Sequence, residues 1–404
     1  MIFRVCTECP GCEKPVLFRI AISGEAKQSF AAACPECEAT LRGTLHTQPD
    51  KGEITGFDLD GNPAHLIEEP DGVAVVNVGT DLLTHPGPRS MMDPDGSPFM
   101  MHVSALGHDI FLNWRARTES LFEVVEAYWT SIARWWGYYT AGNWDLFDAH
   151  ARKYWSDRIP DNPEPIERHD AIHRALELVF LHVAGAEYVE LNRLVRGDFP
   201  GGQHEEVFAL ARTLDEKGTL ATAQVQLFET LDEFVQKRDH WRPGTLALAY
   251  DDAGIDRDSR WQIQRDDFTS LRALYLSCFE VSYKFIDIAV VLRNVMDRGD
   301  PTSFPDGSTM SLGKLSKLKA FQKEEVLSHY AWGGMFIGLF DRKLRNAIGH
   351  SDAHHKVTTG RIVSPKAEWD YVEFVKTVVR SSQAPLFILN IVKLLRIAND
   401  LEQG

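Results

Sequence analysis

The stretch Leu339-Phe-Asp-Arg-Lys-Leu-Arg-Asn-Ala-Ile-Gly-His350 decides how the chain is read. Its apolar positions recur at the three- and four-residue spacing of an α-helix, and it closes an apolar helical run that starts near Val326. Asn346 and His350 are four residues apart and share one face of an ideal helix. Arg345 and His350 are five apart, about 140° in azimuth, so a regular helix does not aim both at one group. Gly349 is placed to end the helix and relieve that mismatch. The surroundings are basic: residues 311–366 hold ten Lys and Arg against four Asp and Glu, in a chain of formal net charge −15. A solvated basic face is the plain meaning of such a cluster, and a phosphate-bearing ligand is the sharper one.

These residue types suit RNA cleavage without a metal. That reaction needs a base for the 2′-hydroxyl proton, an acid for the leaving 5′-oxygen and a cation for the phosphorane. Histidine serves either proton transfer because its ordinary pKa lies near about 6.5. Arginine stays cationic and grips two phosphate oxygens at once, which suits Arg345 to charge stabilisation. Asn346 is placed to orient the imidazole or the phosphate.

Arg345-Asn346-x3-His350 resembles the Arg-x4-6-His signature of the HEPN superfamily, in the variant where Asn follows Arg. The resemblance spans residues 262–402, with a long helix before the motif, a β-like hairpin at Lys356 to Val363, and closing helices. It implies a helical bundle, a homodimer that brings Arg345 of one chain near His350 of the other, and a metal-independent endoribonuclease of the toxin or antiphage-defence kind. It also implies an acidic residue on the helix packed against the motif, for which Glu280 and Asp287 are the accessory candidates. Glu280 and Lys284 at i, i+4 read more simply as an exposed ion pair. Lys343, Lys356 and Arg342 are the expected RNA-binding cations. Arg168-His-Asp-Ala-Ile-His173 meets the same spacing, but without the Asn and without the apolar approach.

Five of the six cysteines lie in the first 37 residues. Cys9-Pro-Gly-Cys12 and Cys34-Pro-Glu-Cys37 are two CxxC knuckles separated by 21 residues, a spacing that closes a tetrahedral Zn²⁺ site. A zinc ribbon is expected over residues 1–46, with a structural and not a catalytic ion, since all four positions are filled. Cys6 is a spare thiol or an alternative ligand. The ribbon would recognise a nucleic acid, a protein or a phage-derived trigger.

The 404 residues are 44% apolar and 25% charged, the composition of a globular protein of two or three domains. The net charge argues against uniform coating of nucleic acid. No uninterrupted apolar run approaches the length of a bilayer span, and the first residues lack a charged leader before an apolar run. No membrane span and a cytoplasmic location are therefore expected. Residues 47–113 hold seven of 19 prolines and eight of 29 glycines and read as a turn-rich β module or linker. From Trp114 the period is helical, giving a helical region over 114–261 and the HEPN-like domain over 262–402. Helical stretches are expected at 166–195, 203–216, 219–240, 267–298, 322–348 and 367–398, punctuated by Pro160 to Pro165, Pro200 to Gly202, Pro243-Gly244 and Pro301 to Gly307. The expected fold class is thus mainly α, with a small β-rich segment and a β zinc ribbon at the N-terminus.

Weaker candidates remain. His169, His173, Glu177 and His182 would ligate a metal only if they converge, and partly exposed helix histidines are the plainer reading. His354 and His355 follow the motif and could meet RNA, or lie in a loop. Trp135, Trp136, Tyr138 and Tyr139 could stack on bases, although helical spacing favours the core. The alternative to an enzyme is a dimeric sensor or scaffold with an inert Arg-Asn-His cluster. Neither a nucleotidyltransferase carboxylate pattern nor a Walker loop is visible.

Overall fold

The computed structural model describes residues 2–85, 97–155, 160–180, 182–196, 204–350 and 352–403. Its strands are β1 (Ile2–Glu8), β2 (Pro15–Ala21), β3 (Lys27–Ala33), β4 (Thr40–Gln48), β5 (Glu53–Leu59), β6 (Asn62–Pro63), β7 (Ala74–Gly79), β8 (His354–Lys356), β9 (Arg361–Val363) and β10 (Glu368–Asp370). Its helices run from α1 (Pro98–Leu106) and α2 (His108–Thr140) through α3 (Trp144–Trp155), α4 (Pro165–Phe180), α5 (Ala186–Arg196), α6 (His204–Glu216) and α7 (Thr219–Gln236). They continue with α8 (Arg238–Asp252), α9 (Phe268–Arg298), α10 (Leu312–Leu315), α11 (Ala320–Leu327), α12 (Gly333–Gly338), α13 (Arg342–Gly349), α14 (Tyr371–Ser381) and α15 (Gln383–Gln403). The protein is mainly helical, as expected. The described residues fall into two compact units that interleave in sequence: Met1–Thr118, Arg238–Arg272 and Asn346–Val378 in the first, and Glu119–Lys237, Ala273–Arg345 and Val379–Gly404 in the second. The expected consecutive segments 1–46, 47–113, 114–261 and 262–402 do not follow this division.

In the first unit, β1 and β7 flank β2, antiparallel and parallel respectively, while β3 to β6 form an antiparallel sheet. Alternation sends Val16, Phe18 and Ile20 of β2 into the same core as Phe30, Leu45, Phe57 and Val78. Phe18, Phe30 and Phe57 pack ring to ring, with centroids 5.4 to 6.1 Å apart. The expected ribbon is therefore not confined to residues 1–46, because β2 pairs with β7 and β4 with β5. Nor is 47–113 all β or linker: α1 and the start of α2 lie in it, with Pro98 supplying a favourable first helical position. Residues 86–96 of that segment lie outside the described residues. Pro243-Gly244 does not separate helices either. Both sit inside α8, where a Cβ on Gly244 would lie 2.9 Å from the Val375 carbonyl oxygen, so a bare backbone is what lets α14 approach.

In the second unit, α15 packs against α4, α5, α6 and α7. Ion pairs fasten its polar end: Lys393 to Asp170 at 2.7 Å, Arg396 to Asp215 at 2.5 Å and Asp400 to His169 at 2.6 Å. The single helix expected over 322–348 is three short helices, α11, α12 and α13. The chain breaks at 328–332 and again at 339–341, and α12 opens on Gly333, where any Cβ would clash with the Leu327 carbonyl. Among the described residues, Tyr371–Glu402 is long and apolar enough to cross a membrane, yet 89% of its apolar 18-residue window is buried inside the protein, as in a core helix.

A half-buried charge cluster in the first unit makes stability depend on pH. Arg242 Nη1 lies 3.6 Å from Glu25 Oε1 and 3.4 Å from Asp81 Oδ2, so two carboxylates share one guanidinium. Burial, then the charges of Asp81 and Asp239, push Glu25 from 4.5 up to about 7, and burial raises Asp81 as well. The folded chain thus holds the Glu25 proton more tightly than the unfolded chain, and this stabilisation is lost as pH rises from about 4.5 through 7. E25Q should gain melting temperature relative to the parent as pH goes from 5 to 8, by roughly 2–5 °C in thermal melts. A difference constant across that range would contradict the account.

Candidate functional site

Two groups of side chains offer chemistry. The first is built by the paired knuckles of the β module. In one, the Cys9 N–H donates to the Lys14 carbonyl at 2.9 Å and the Glu13 N–H to the Cys9 carbonyl at 2.8 Å. In the other, the Cys34 N–H donates to the Ala39 carbonyl at 2.8 Å and the Glu38 N–H to the Cys34 carbonyl at 2.9 Å. Glu13 and Glu38 both have φ of 60°, so the two loops share one backbone conformation. This twin geometry brings the Sγ atoms of Cys9, Cys12, Cys34 and Cys37 within 4.8 Å of one another. Cys9 and Cys37 are 3.8 Å apart and Cys12 and Cys34 are 3.9 Å apart. Sulfurs bound to one tetrahedral ion at about 2.3 Å stand roughly 3.8 Å from each other, so the cluster fits a metal ion. The Gly11 N–H, 3.4 Å from Cys9 Sγ, adds a donor to the thiolate. Cys6 is buried in β1 outside this group.

The second group lies on α13. Asp341 caps the helix, its Oδ1 accepting from the backbone N–H groups of Lys343 at 2.8 Å and Leu344 at 3.0 Å. The Tyr275 hydroxyl, on α9, donates to the Asp341 carbonyl at 3.0 Å and accepts its N–H at 2.8 Å, which fixes where α13 starts. Leu344 and Ile348, four apart, are buried, and that places Arg342, Lys343, Asn346 and His350 on the exposed side. The helix stays regular to its end, with the His350 N–H donating to the Asn346 carbonyl at 3.2 Å. Gly349 is the last residue of α13, so the helix ends there as expected, and His350 lies just beyond it. The boundary between the two compact units falls between Arg345 and Asn346.

Arg345 is half-buried. Its guanidinium pairs with the Glu280 carboxylate and lies over the Phe279 ring, 5.2 Å from the centroid. Glu280 is thus not the partner of Lys284, which donates instead to Gln226 Oε1 at 2.8 Å. Arg342 pairs with Glu324 at 2.6 Å. Asp287, the other accessory candidate, turns into the core of the second unit, where Lys323 Nζ reaches its Oδ2 and the Tyr283 carbonyl, both at 2.7 Å. Burial, partly offset by Lys323, pushes Asp287 up to about 6. It acts there as a structural pin between α9 and α11, not as a group on the exposed face.

The remaining candidates resolve into packing. His355 stacks on Tyr371 with centroids 3.8 Å apart and a side chain only 2% exposed, so it is no RNA contact, and burial lowers it to about 4. His354 and Lys356 are exposed on β8, which pairs with β9 as the expected hairpin, and β10 adds a third strand. His169 bonds Tyr139 and Asp400, His173 is buried beside Trp136, and among the described residues the four cysteines alone form a metal-competent cluster. Trp135, Trp136 and Tyr139 are core. Arg168, from the second motif match, grips Asp148 with bonds of 2.8 and 2.6 Å. Both border a polar cavity of about 350 Å³, with Asp145, Arg152 and Asp161, and none of its lining belongs to α13.

The sequence reading missed the Tyr275 clamp, the Glu324 pair and the Phe279 platform. Only Asp341 before a basic helix start was a visible signal, as an N-cap residue. No family model, curated protein or solved structure matches this chain. For the metal cluster, the expected outcome is one bound ion per chain, lost with a large fall in melting temperature in C34S. Elemental analysis of both proteins checks it, and unchanged metal content in C34S would contradict the assignment.

Proposed function

We propose that the chain is a metal-independent endoribonuclease of the HEPN type, acting as a cytoplasmic toxin or defence effector. The observation that carries this reading is the exposed face of α13, where Asn346 and His350 accompany Arg345 in the Arg-Asn-x3-His spacing on a rigidly capped helix. In the proposed step, the 2′-oxygen attacks the adjacent phosphorus as its proton leaves, the bond to the 5′-oxygen breaks, and that oxygen is protonated. His350 performs a proton transfer, Arg345 stabilises the phosphorane, and Asn346 orients. The products are a 2′,3′-cyclic phosphate and a 5′-hydroxyl. Arg342, Lys343 and Lys356 hold the RNA backbone through charge. On an ideal helix, five residues would leave Arg345 and His350 about 140° apart. A homodimer that pairs Arg345 of one chain with His350 of the other supplies the convergence.

The four-cysteine cluster is proposed to hold a structural Zn²⁺, since four thiols leave no open coordination position for catalysis. The zinc module would bind the partner or trigger, whether nucleic acid, protein or a phage-derived component. One observation favours the second reading, a non-catalytic dimeric sensor or scaffold: both arginines of α13 already face glutamates. Incubation of the purified protein with total RNA in EDTA separates the two. Cleavage is expected, with a loss of at least about 100-fold in H350A and nearly as much in R345K as in R345A, because an ammonium lacks the planar two-point grip. Wild-type turnover by H350A, or an absolute Mg²⁺ requirement, would shift the assignment to the binding module.

A further inference from the structure

The four clustered thiols differ in exposure, and that difference decides which of them a solute meets. Cys9 and Cys34 are 1% exposed and belong to the hydrophobic core of the β module. Cys12 is half-buried, and Cys37 is exposed. The Cys37 Sγ lies 3.8 Å from the Cys9 Sγ, so an exposed sulfur touches a sequestered one across the two knuckles. Gly11, itself exposed, flanks this pair from the turn of the first knuckle. A Cβ there would stand 3.6 Å from the Cys37 sulfur and 3.8 Å from the Cys9 sulfur, which are ordinary contact distances. Glycine thus leaves the pair uncovered where a larger residue would fit and shield it.

We propose that Cys37 is a hydroperoxide-reactive site with Cys9 as its resolving thiol, so that oxidation converts the module to a disulfide form and releases its metal ion. The inference rests on the reading of the cluster as a Zn²⁺ site, because a metal-bound cysteine is held as the thiolate, the nucleophilic form. The Cys37 sulfur attacks the terminal oxygen of the hydroperoxide, the O–O bond breaks, and the departing oxygen takes a proton to leave as an alcohol, or as water from hydrogen peroxide. The Cys9 sulfur then attacks the sulfenic sulfur, the S–O bond breaks, and hydroxide leaves and is protonated to water. Two thiolates, one hydroperoxide and two protons give one disulfide, one alcohol and one water, with two electrons passing from sulfur to oxygen. The bond requires the sulfurs to close from 3.8 Å to about 2.05 Å. With two of four donors gone, the ion loses its closed tetrahedral shell. Cys12 and Cys34, 3.9 Å apart, remain for a second equivalent. Both disulfides join one knuckle to the other, so a covalent link takes over the metal's role as staple. Cys6 and Cys278 are buried outside the cluster and stay reduced.

The test treats the full zinc-loaded chain with hydrogen peroxide, follows metal release with a chromogenic chelator, and identifies disulfides by non-reducing peptide mapping in a mass spectrometer. The expected result is release of the bound Zn²⁺, a Cys9 to Cys37 cross-link as the first disulfide, unmodified Cys6 and Cys278, and zinc binding restored by a thiol reductant with added Zn²⁺. G11A, whose methyl group covers the sulfur pair, should carry the parent's zinc content and release it at least about threefold more slowly. Zinc retained through excess peroxide, a first disulfide within one knuckle, or G11A releasing zinc at the parent's rate would overturn the inference. If G11A loses zinc before any oxidation, the parent's disulfide map decides alone. The zinc reading fails separately. An untreated chain without zinc removes the metal site, and the same map in that chain then decides whether Cys37 closes on Cys9.

Discussion

The candidate surface on α13 depends on one clamp, the Tyr275 hydroxyl seated on both backbone polar groups of Asp341. It satisfies a donor and an acceptor at the point where the chain turns into α13, and the Asp341 side chain caps the helix from the same residue. With the start fixed, the 3.6-residue period decides everything downstream. Leu344 and Ile348 must face inward, and Lys343, Asn346 and His350 must face water. Removing the clamp would free the helix to slip or fray, and the order of its basic and polar groups would go with it.

Charge is handled in two distinct ways. Inside the second unit, Asp287 and Lys323 form a nearly unexposed pair, in which losing one partner would strand a charge in low dielectric. On the surface, Glu280 and Arg345 form a pair that water can dissolve at little cost. The first kind holds α11 on α9.

Much of this was legible in residues alone, for definite reasons. Metal-ligand spacing is a local property, so the two CxxC knuckles could be paired from the sequence, and the thiols converge as expected. Helical periodicity is also local, and α6 and α9 follow it closely, whereas the helix expected over 367–398 opens with β10 and divides into α14 and α15. What escaped was set by tertiary contacts. An apparently continuous apolar helix is broken at 328–332, where Gly333 lets the returning chain meet Leu327, whereas Pro243-Gly244 lies inside α8 with Gly244 against Val375. His355 follows the motif in a polar run, yet stacks on Tyr371 out of solvent. Glu280 was a named residue with the wrong partner: i, i+4 spacing favoured Lys284, while the fold offered Arg345.

The central claim is that α13 serves cleavage by the RNA's own 2′-hydroxyl. Its most direct test is reaction of the full chain in EDTA with an RNA strand cut at one position, beside the same strand carrying a single 2′-deoxy substitution at that nucleotide. The account predicts a 2′,3′-cyclic phosphate and a 5′-hydroxyl at the cut in the first strand and no cut at that position in the second. Cleavage of the deoxy-substituted bond, or products ending in a 5′-phosphate, would contradict it.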